Sequence, residues 1–143
     1  SIQPSILKLK DGRVQVLMRT HNAKLATSFS SDGGDTWTPV TLLDIENNQS
    51  GTDAVTLKDG RHVLIYNNFE SLPGTKKGSR TPLSLAISDD GTHWRHLLTL
   101  EDSPINQYSY PGIIEGKDGK LHCIYTWRRQ RVAYKEVDLK KIK

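Results

Sequence analysis

The sequence predicts an all-β protein built from repeated four-stranded units, and two kinds of repeated turn carry that prediction. Three phrases with an Asp-Gly turn, residues 9–13, 57–61 and 116–120, lie between short apolar and β-branched runs. Asp-Gly between such runs is the strongest local signal for a β-hairpin. Two near-copies of a polar phrase that ends in Trp, residues 30–37 and 88–94, follow further strand-like runs. The sequence shows no sustained helical period, so strands and turns are expected throughout.

The first unit is expected to contain four strands. Residues 5–9 and 14–18 flank the first Asp-Gly turn, and residues 25–29 form the third strand. The phrase at residues 30–37 then turns the chain, because Ser and Asp side chains bond nearby backbone amides and Gly accepts positive φ. The fourth strand is expected to begin at Trp37, whose indole needs an apolar surface beside it.

The second and third units repeat this order. The second is expected to have strands at residues 54–57, 62–66 and 83–87 and a fourth strand that begins at Trp94. The third is expected to have strands at residues 113–114, 121–125 and 131–137. It then enters a lysine-rich tail without the polar phrase or a fourth strand, so its last strand is expected to come from elsewhere.

This repeat predicts part of a β-propeller. The aspartates of successive Asp-Gly turns, Asp11, Asp59 and Asp118, are 48 and 59 residues apart, which fits one blade with its connecting loops. Propellers close with about four to eight blades, so three blades cannot form a ring. We therefore expect the chain to be the C-terminal half of a six-bladed ring that also needs an N-terminal half. The expected blades are approximately residues 1–45, 50–100 and 108–139.

Composition narrows the function only slightly. The net charge of +4 and one basic run, residues 128–131, do not indicate nucleic-acid binding, because such a run between strands usually forms a solvated turn. The single cysteine, Cys123, lies in an apolar run and is expected to be buried. Metal-ligand spacings, phosphate loops and membrane-length apolar segments are absent from the sequence, so no metal, cofactor or membrane span is expected. The compartment stays open, with a secreted or periplasmic location plausible.

The phrase at residues 30–37 has the form Ser-x-Asp-x-Gly-x-Thr-Trp and resembles the Asp box of the sialidase superfamily; the phrase at residues 88–94 is one residue shorter. In that family Asp boxes lie on the face away from the active site. The resemblance therefore implies that these phrases fix turns and pack against neighbouring blades, and that other segments carry the chemistry.

Two segments resemble the strands that carry the sialidase glutamate and two of its three arginines. Residues 3–20, QPSILKLKDGRVQVLMRT, resemble the strand pair that begins at the glutamate and ends at the second arginine. That alignment puts Gln3 at the glutamate and Arg19 at the arginine. The segment RTPLSLAIS, just ahead of the second Asp box, puts Arg80 at the third arginine.

A third segment resembles the start of the last sialidase blade, which carries the nucleophilic tyrosine. Residues 108–111 read YSYP and precede the third Asp-Gly turn. The resemblance assigns the nucleophile to Tyr108, with Tyr110 as the alternative and otherwise a substrate-binding residue. Either tyrosine could instead simply pack between blades.

These residue types suit a substrate with a carboxylate. Planar guanidinium groups such as those of Arg19 and Arg80 offer paired donors to a carboxylate and fix its orientation. Sialic acid carries its carboxylate on the anomeric carbon, so a neutral phenol meets less repulsion there than a carboxylate nucleophile would; sialidases are the tyrosine exception among retaining glycosidases. A free phenol has a pKa near ~10 and needs a base to take its proton.

The sequence departs from the family at that base. Gln3 cannot accept the phenol proton as a glutamate would. Asp53 begins the equivalent strand of the next blade and could act as base or bind substrate hydroxyls; a turn-capping aspartate is the alternative reading. The first arginine and the acid aspartate of the family would lie in the N-terminal half.

The resemblance implies a sialidase-like glycoside hydrolase that releases a terminal carboxylated sugar by retention, without a cofactor. A non-catalytic glycan-binding propeller, in which Gln3 marks a lost activity, is one alternative. A hydrolase of uronic-acid polysaccharides is the other, because uronic acids also carry a carboxylate.

Overall fold

A computed structural model describes residues 1–69, 79–105 and 107–142, which form three antiparallel sheets. The first sheet contains β1 (Ile2–Lys8), β2 (Val14–Arg19), β3 (Lys24–Ser30) and β4 (Thr41–Glu46). The second contains β5 (Asp53–Thr56), β6 (His62–Tyr66), β7 (Leu83–Ser88) and β8 (Arg95–Glu101). The third contains β9 (Tyr108–Glu115), β10 (Leu121–Trp127) and β11 (Arg131–Val137), and a short 3₁₀ turn, Leu139–Lys141, follows it. Strands are neighbours in chain order in every sheet, so each sheet is a meander.

The all-β prediction and the repeated strand order are confirmed. Three boundary predictions are wrong. β4 begins at Thr41 rather than at Trp37, because Trp37 turns back to donate its indole N–H to the Gly34 carbonyl at 3.0 Å. β1 and β9 begin at Ile2 and Tyr108, earlier than the predicted residues 5 and 113. In the second sheet β8 begins at Arg95, directly after Trp94. The part of the chain with described structure contains no helix long and apolar enough to cross a membrane.

The middle sheet buries both of its faces. Its side chains alternate along β6, so that Leu64 and Tyr66 pack with the first sheet while Val63 and Ile65 pack with the third. Every residue of β6 and β7 is consequently buried. The predicted buried Cys123 lies in the core between the second and third sheets, where burial raises the pKa of its thiol to about 11.

The first strands of the three sheets, β1, β5 and β9, lie side by side. The Asp53 carboxylate joins all three, because it accepts hydrogen bonds from the Ser5 hydroxyl at 3.1 Å and from the Ile113 backbone N–H at 2.9 Å. Since a meander reverses direction at each turn, the starts of β1, β5, β7 and β9 share one end of the molecule with the ends of β2, β6 and β10. The three Asp-Gly turns and both Asp boxes lie at the opposite end.

The two Asp boxes have nearly the same hydrogen bonds. In the second, the Ser88 hydroxyl accepts from the Gly91 N–H, the Asp90 carboxylate accepts from the His93 N–H, and the Trp94 indole donates to the Gly91 carbonyl. Hydrogen bonds from the His93 side chain and from the backbone N–H groups of His93 and Thr92 hold the pKa of the Asp90 carboxyl well below its usual range. The Gln15 amide of the first sheet also donates to the Gly91 carbonyl at 2.8 Å, so this turn links two sheets.

Apolar side chains remain exposed on both outer faces of the three-sheet stack. The first sheet exposes Ile6, Trp37 and Val40, which line a cavity of about 360 Å³. The third sheet exposes Ile114, Ile124 and Tyr134 around a cavity of about 340 Å³. Trp94, the repeat counterpart of Trp37, packs instead against the core between the first and second sheets. The first and third sheets are therefore each covered on one face only, whereas the middle sheet is covered on both.

Glycine at position 91 can be tested against a matched glycine in the other Asp box. Gly91 and Gly33 have φ values of +78° and +77°, but a Cβ on Gly91 would lie 2.0 Å from the Gln15 side-chain oxygen, whereas one on Gly33 would have nothing within 4 Å. Both alanine substitutions should lower the free energy of unfolding by about 1 kcal/mol through the left-handed backbone. Gly91→Ala should cost about 1–3 kcal/mol more, because the buried Gln15 must move.

Urea unfolding of the two variants measures that difference directly. Equal losses for Gly91→Ala and Gly33→Ala would contradict the link between Gln15 and the second Asp box.

Candidate functional site

Two of the sequence-predicted positions, Gln3 and Tyr110, have the same unusual local structure. Each precedes a proline, has a left-handed backbone with φ of 55° or 49°, and lies at an irregularity in the pairing of the first strand of its sheet. A non-glycine residue in this conformation costs about 1–3 kcal/mol and tends to occur at functional sites. The two bulges therefore act as equivalent devices that re-aim one side chain at the start of β1 and of β9.

Gln3 and Tyr110 approach each other over Gly51, which precedes β5. A Cβ on Gly51 would lie 3.2 Å from the Gln3 side-chain oxygen and 3.5 Å from a ring carbon of Tyr110. A cavity of about 130 Å³ lies here, lined by Gln3, Gly51, Thr52, Tyr110 and Pro111. All three sheets thus contribute to one small opening, and the missing side chain of Gly51 keeps it open.

Both predicted arginines lie beside the Tyr110 phenol and lower its pKa. The Arg80 guanidinium carbon lies 5.3 Å from the centre of the Tyr110 ring. A hydrogen bond from Arg80 and its positive charge lower the pKa of Tyr110 below its ordinary value, and the charge and a hydrogen bond of Arg19 add to this. Arg19, Arg80 and Tyr110, predicted from three separate segments, therefore lie together.

The two guanidinium groups differ in their surroundings. Arg80 is buried and donates to the Gln107 side-chain oxygen at 3.2 Å. Arg19 is half-buried, and its Nε and Nη1 atoms lack hydrogen-bond acceptors among the residues of known placement. Buried donors normally have partners, so the absence of one at these two Arg19 atoms, in the described part of the chain, is an unusual feature of the site.

Tyr108, which the sequence favours as nucleophile, lies elsewhere. It is 1% exposed, packs edge-on against Tyr125 in the core between the second and third sheets, and its hydroxyl accepts from Arg128 at 3.3 Å. Tyr110 is 56% exposed. The left-handed backbone at Tyr110 explains the difference, because it breaks the alternation that would put both tyrosines on one face. The geometry therefore favours the alternative assignment, Tyr110.

Asp53 follows Thr52 of this opening but itself lines the cavity on the third sheet, and both of its oxygens are engaged, with the Ser5 hydroxyl and the Ile113 N–H. This arrangement matches the structural alternative for Asp53 more closely than the role of proton acceptor. Gln3 offers an amide and no titratable group, so the opening combines two cations and a phenol with a neutral amide.

Two features of the site escaped the sequence analysis. Gly51 and Gln107 have no motif around them, and only their contacts with Tyr110 and Arg80 reveal them. A third group lies away from the site: Asp118, His122 and Glu136 bring possible metal ligands within 4.8 Å of one another. Glu136 is already paired with the Lys120 ammonium at 3.0 Å, and His122 with the Tyr134 hydroxyl at 2.6 Å.

Comparison with known proteins identifies the family of this chain. Residues 1–123 match the family model described as BNR repeat-like domain. The anhydrosialidase of Macrobdella decora is 24% identical over 151 aligned residues, which cover 94% of this chain and 20% of that protein. The chain therefore spans about a fifth of the length of this curated relative.

Solved structures agree on the fold. The NanB sialidase of Streptococcus pneumoniae superposes on 98% of this chain with a TM-score of 0.77 and 22% identity, using 24% of its own length. The intramolecular trans-sialidase of Ruminococcus gnavus superposes with a TM-score of 0.75 and 20% identity, over 98% of this chain and 33% of its own length. The α-L-arabinanase of Penicillium chrysogenum superposes with a TM-score of 0.67 and 20% identity, over 99% of this chain and 47% of its own length. The chain belongs to the BNR repeat-like domain family.

Proposed function

We propose that this chain carries part of the active site of a sialidase-like glycoside hydrolase, which releases a terminal carboxylated sugar from glycans with retention of configuration. The observation that carries the proposal is the convergence of Arg19 and Arg80 on the Tyr110 phenol. Similarity to sialidases supports a glycosidase at the level of the family. The sugar, the mechanism and the residue roles are our inference.

In this proposal the guanidinium groups of Arg19 and Arg80, which lie beside the Tyr110 phenol, bind the substrate carboxylate. Charge-assisted bonds from planar guanidinium groups fix both its position and its orientation. A carboxylate nucleophile would be repelled by the bound carboxylate, whereas the Tyr110 oxygen would not. Tyr110 attacks the anomeric carbon as the glycosidic bond breaks, and water then releases the sugar from the covalent intermediate.

The phenol proton needs an acceptor, and this chain differs from the family there. The Gln3 amide can accept a hydrogen bond from the phenol but cannot take its proton. Asp53 is engaged by two donors. We infer that Tyr110 attacks from its neutral form and that Arg80 and Arg19 partly compensate for the missing base by stabilising the negative charge that develops on its oxygen as the proton passes to water.

The remainder of the site would come from other blades. We propose a six-bladed ring in which an N-terminal half covers the two exposed apolar faces, at Trp37 and at Tyr134, and supplies a third arginine and an acid aspartate. Trp94 supports this proposal. It is the repeat counterpart of Trp37, and it packs against the core that its own sheet shares with the preceding one.

A glycan-binding protein without turnover is the second candidate, and Gln3 is the observation that favours it. An amide at this position retains hydrogen bonding but removes the base. The choice of sugar is a further alternative, since uronic acids also present a carboxylate and the same fold occurs in sialidases and in an arabinanase. Assays with a fluorogenic sialoside and with uronic-acid oligosaccharides separate these candidates, and glycan binding without turnover of either would favour the second.

Replacing Tyr110 by Phe tests the nucleophile, with Tyr108→Phe as a matched control in the same strand. Tyr110→Phe should lower kcat by at least about a hundredfold and leave binding of the free sugar acid within about threefold, because only the covalent step is lost. Tyr108→Phe should retain turnover, since its hydroxyl accepts only one long bond in the core. Turnover retained by Tyr110→Phe and lost in Tyr108→Phe would reverse the assignment.

Replacing Gln3 by Glu tests the missing base. A carboxylate beside the phenol should raise kcat by at least about tenfold, because general-base assistance contributes about 10²–10⁴ when it is well placed. Asn22→Asp is the control, since it adds the same charge at the exposed β2–β3 turn on the same end of the molecule. A rate that stays the same or falls in Gln3→Glu would exclude the proposed relation between Gln3 and Tyr110.

The ionisation of Tyr110 can be followed by ultraviolet difference titration. Arg80 and Arg19 favour the phenolate, so Tyr110 should ionise at lower pH than an ordinary phenol, whereas burial raises the pKa of Tyr66 to about 12. Tyr110→Phe should remove the earliest phase of the titration. Persistence of that phase in the variant would show that Tyr110 is not the phenol whose pKa the arginines lower.

A further inference from the structure

The turn between β10 and β11 breaks the usual rule for its type. Arg128 and Arg129 are its two central residues, the Gln130 N–H donates to the Trp127 carbonyl at 2.9 Å, and both arginines have left-handed backbones, with φ of 51° and 57°. Such two-residue turns strongly prefer Asn-Gly, because both central residues need positive φ. Two arginines in these positions carry a backbone cost of about 1–3 kcal/mol each. Residues held in such a costly backbone conformation tend to occur at functional positions.

The arginines of this turn are held in place but not neutralised. The guanidinium carbons of Arg128 and Arg131 lie 4.4 and 4.3 Å from the centre of the Trp127 ring. Stacking on an aromatic ring orients a guanidinium group while leaving its charge available. Within the described ranges, neither these two arginines nor Arg129 takes part in an ion pair. The buried Nε of Arg128 also has no hydrogen-bond partner there.

This turn lies at the same end of the molecule as the candidate site and is joined to it. The Arg128 backbone N–H donates to the Gln107 carbonyl at 2.6 Å, and the Gln107 side-chain oxygen accepts from Arg80 at 3.2 Å. Arg80 and Arg128 are therefore bonded to one residue, Gln107. A ligand bound at Arg80 and Arg19 that extends toward Gln107 would approach the turn.

We propose that Arg128, Arg129 and Arg131 form a second anion-binding subsite, which binds a further carboxylate or sulfate of an anionic oligosaccharide held in the candidate site. The proposal rests on the proposed function, because it extends the same ligand. A short glycan suits this surface better than a nucleic acid does, since three arginines on one turn are too few for a long phosphate backbone.

The test removes charge while retaining the turn. In the double variant Arg129→Gly with Arg131→Thr, glycine fits the left-handed position and threonine suits the strand, while Arg128 keeps its bonds to Ser103 and Tyr108. Lys58→Ser with Lys117→Ser is the control, because both lysines are exposed and lie in Asp-Gly turns at the opposite end. The protein is expressed from its full natural reading frame, and thermal unfolding checks that each variant folds.

Binding is measured for two series of ligands. The first contains sialic acid and its α2,8-linked trimer, and the second contains galacturonic acid and its trimer. A sulfated disaccharide and a single-stranded oligonucleotide are tested as well. In at least one series the wild type should bind the trimer about tenfold more tightly than the monomer, and the double variant should lose that advantage, since a charged hydrogen bond is worth about a factor of ten. The monomer should change by less than about twofold. The lysine control should behave as the wild type.

Equal affinity for monomer and trimer, or an unchanged trimer affinity in the double variant, would overturn the subsite. Tighter binding of the oligonucleotide than of any glycan, lost in the double variant, would also overturn it and would indicate nucleic acid instead. Arg19→Leu separates the subsite from the proposed function. If Arg19→Leu leaves all affinities unchanged, the proposed function fails, while loss of trimer binding in the double variant would still support the subsite.

Discussion

The Asp53 carboxylate is the interaction on which the arrangement of the candidate site depends. It binds Ser5 of the first sheet and Ile113 of the third from its own position at the start of β5. A partly buried carboxylate with two hydrogen bonds is a strong and directional link, and its loss would leave both donors without a partner. Because the starts of β1, β5 and β9 are held side by side, the residues just before or within those starts lie at one opening.

The chemistry of that opening comes from exceptions to regular strand structure. A regular strand would alternate its side chains between faces, which would direct Tyr108 and Tyr110 to the same side. The left-handed backbones of Gln3 and Tyr110 instead turn both side chains toward Gly51. The Arg128–Arg129 turn shows the same principle at the rim, with charged residues where glycine would be easier. Backbone cost is concentrated at the end of the molecule that carries the cations, as expected for a functional surface.

The sequence predicted the order of the strands and the places of both kinds of repeated turn, because alternating apolar residues, Asp-Gly pairs and Asp boxes are local signals. It also selected Arg19, Arg80 and Tyr110, through resemblance to sialidase segments. It ranked Tyr108 ahead of Tyr110 because the Tyr-Ser pair resembles the sialidase segment, and it could not reveal the left-handed backbone of Tyr110, which has no sequence signature. The inter-sheet roles of Asp53 and Gln15 and the gap at Gly51 could not be predicted either, since they depend on contacts between residues about 48 to 76 positions apart.

Binding of a carboxylated sugar is the claim on which the functional account rests. The most direct measurement is a crystal structure of the protein, expressed from its full natural reading frame, with a bound sugar acid. The account predicts that the carboxylate bonds to Arg19 and Arg80 and that the Tyr110 oxygen faces the anomeric carbon. A sugar acid bound with its carboxylate away from both arginines, or with its anomeric carbon turned away from Tyr110, would contradict it.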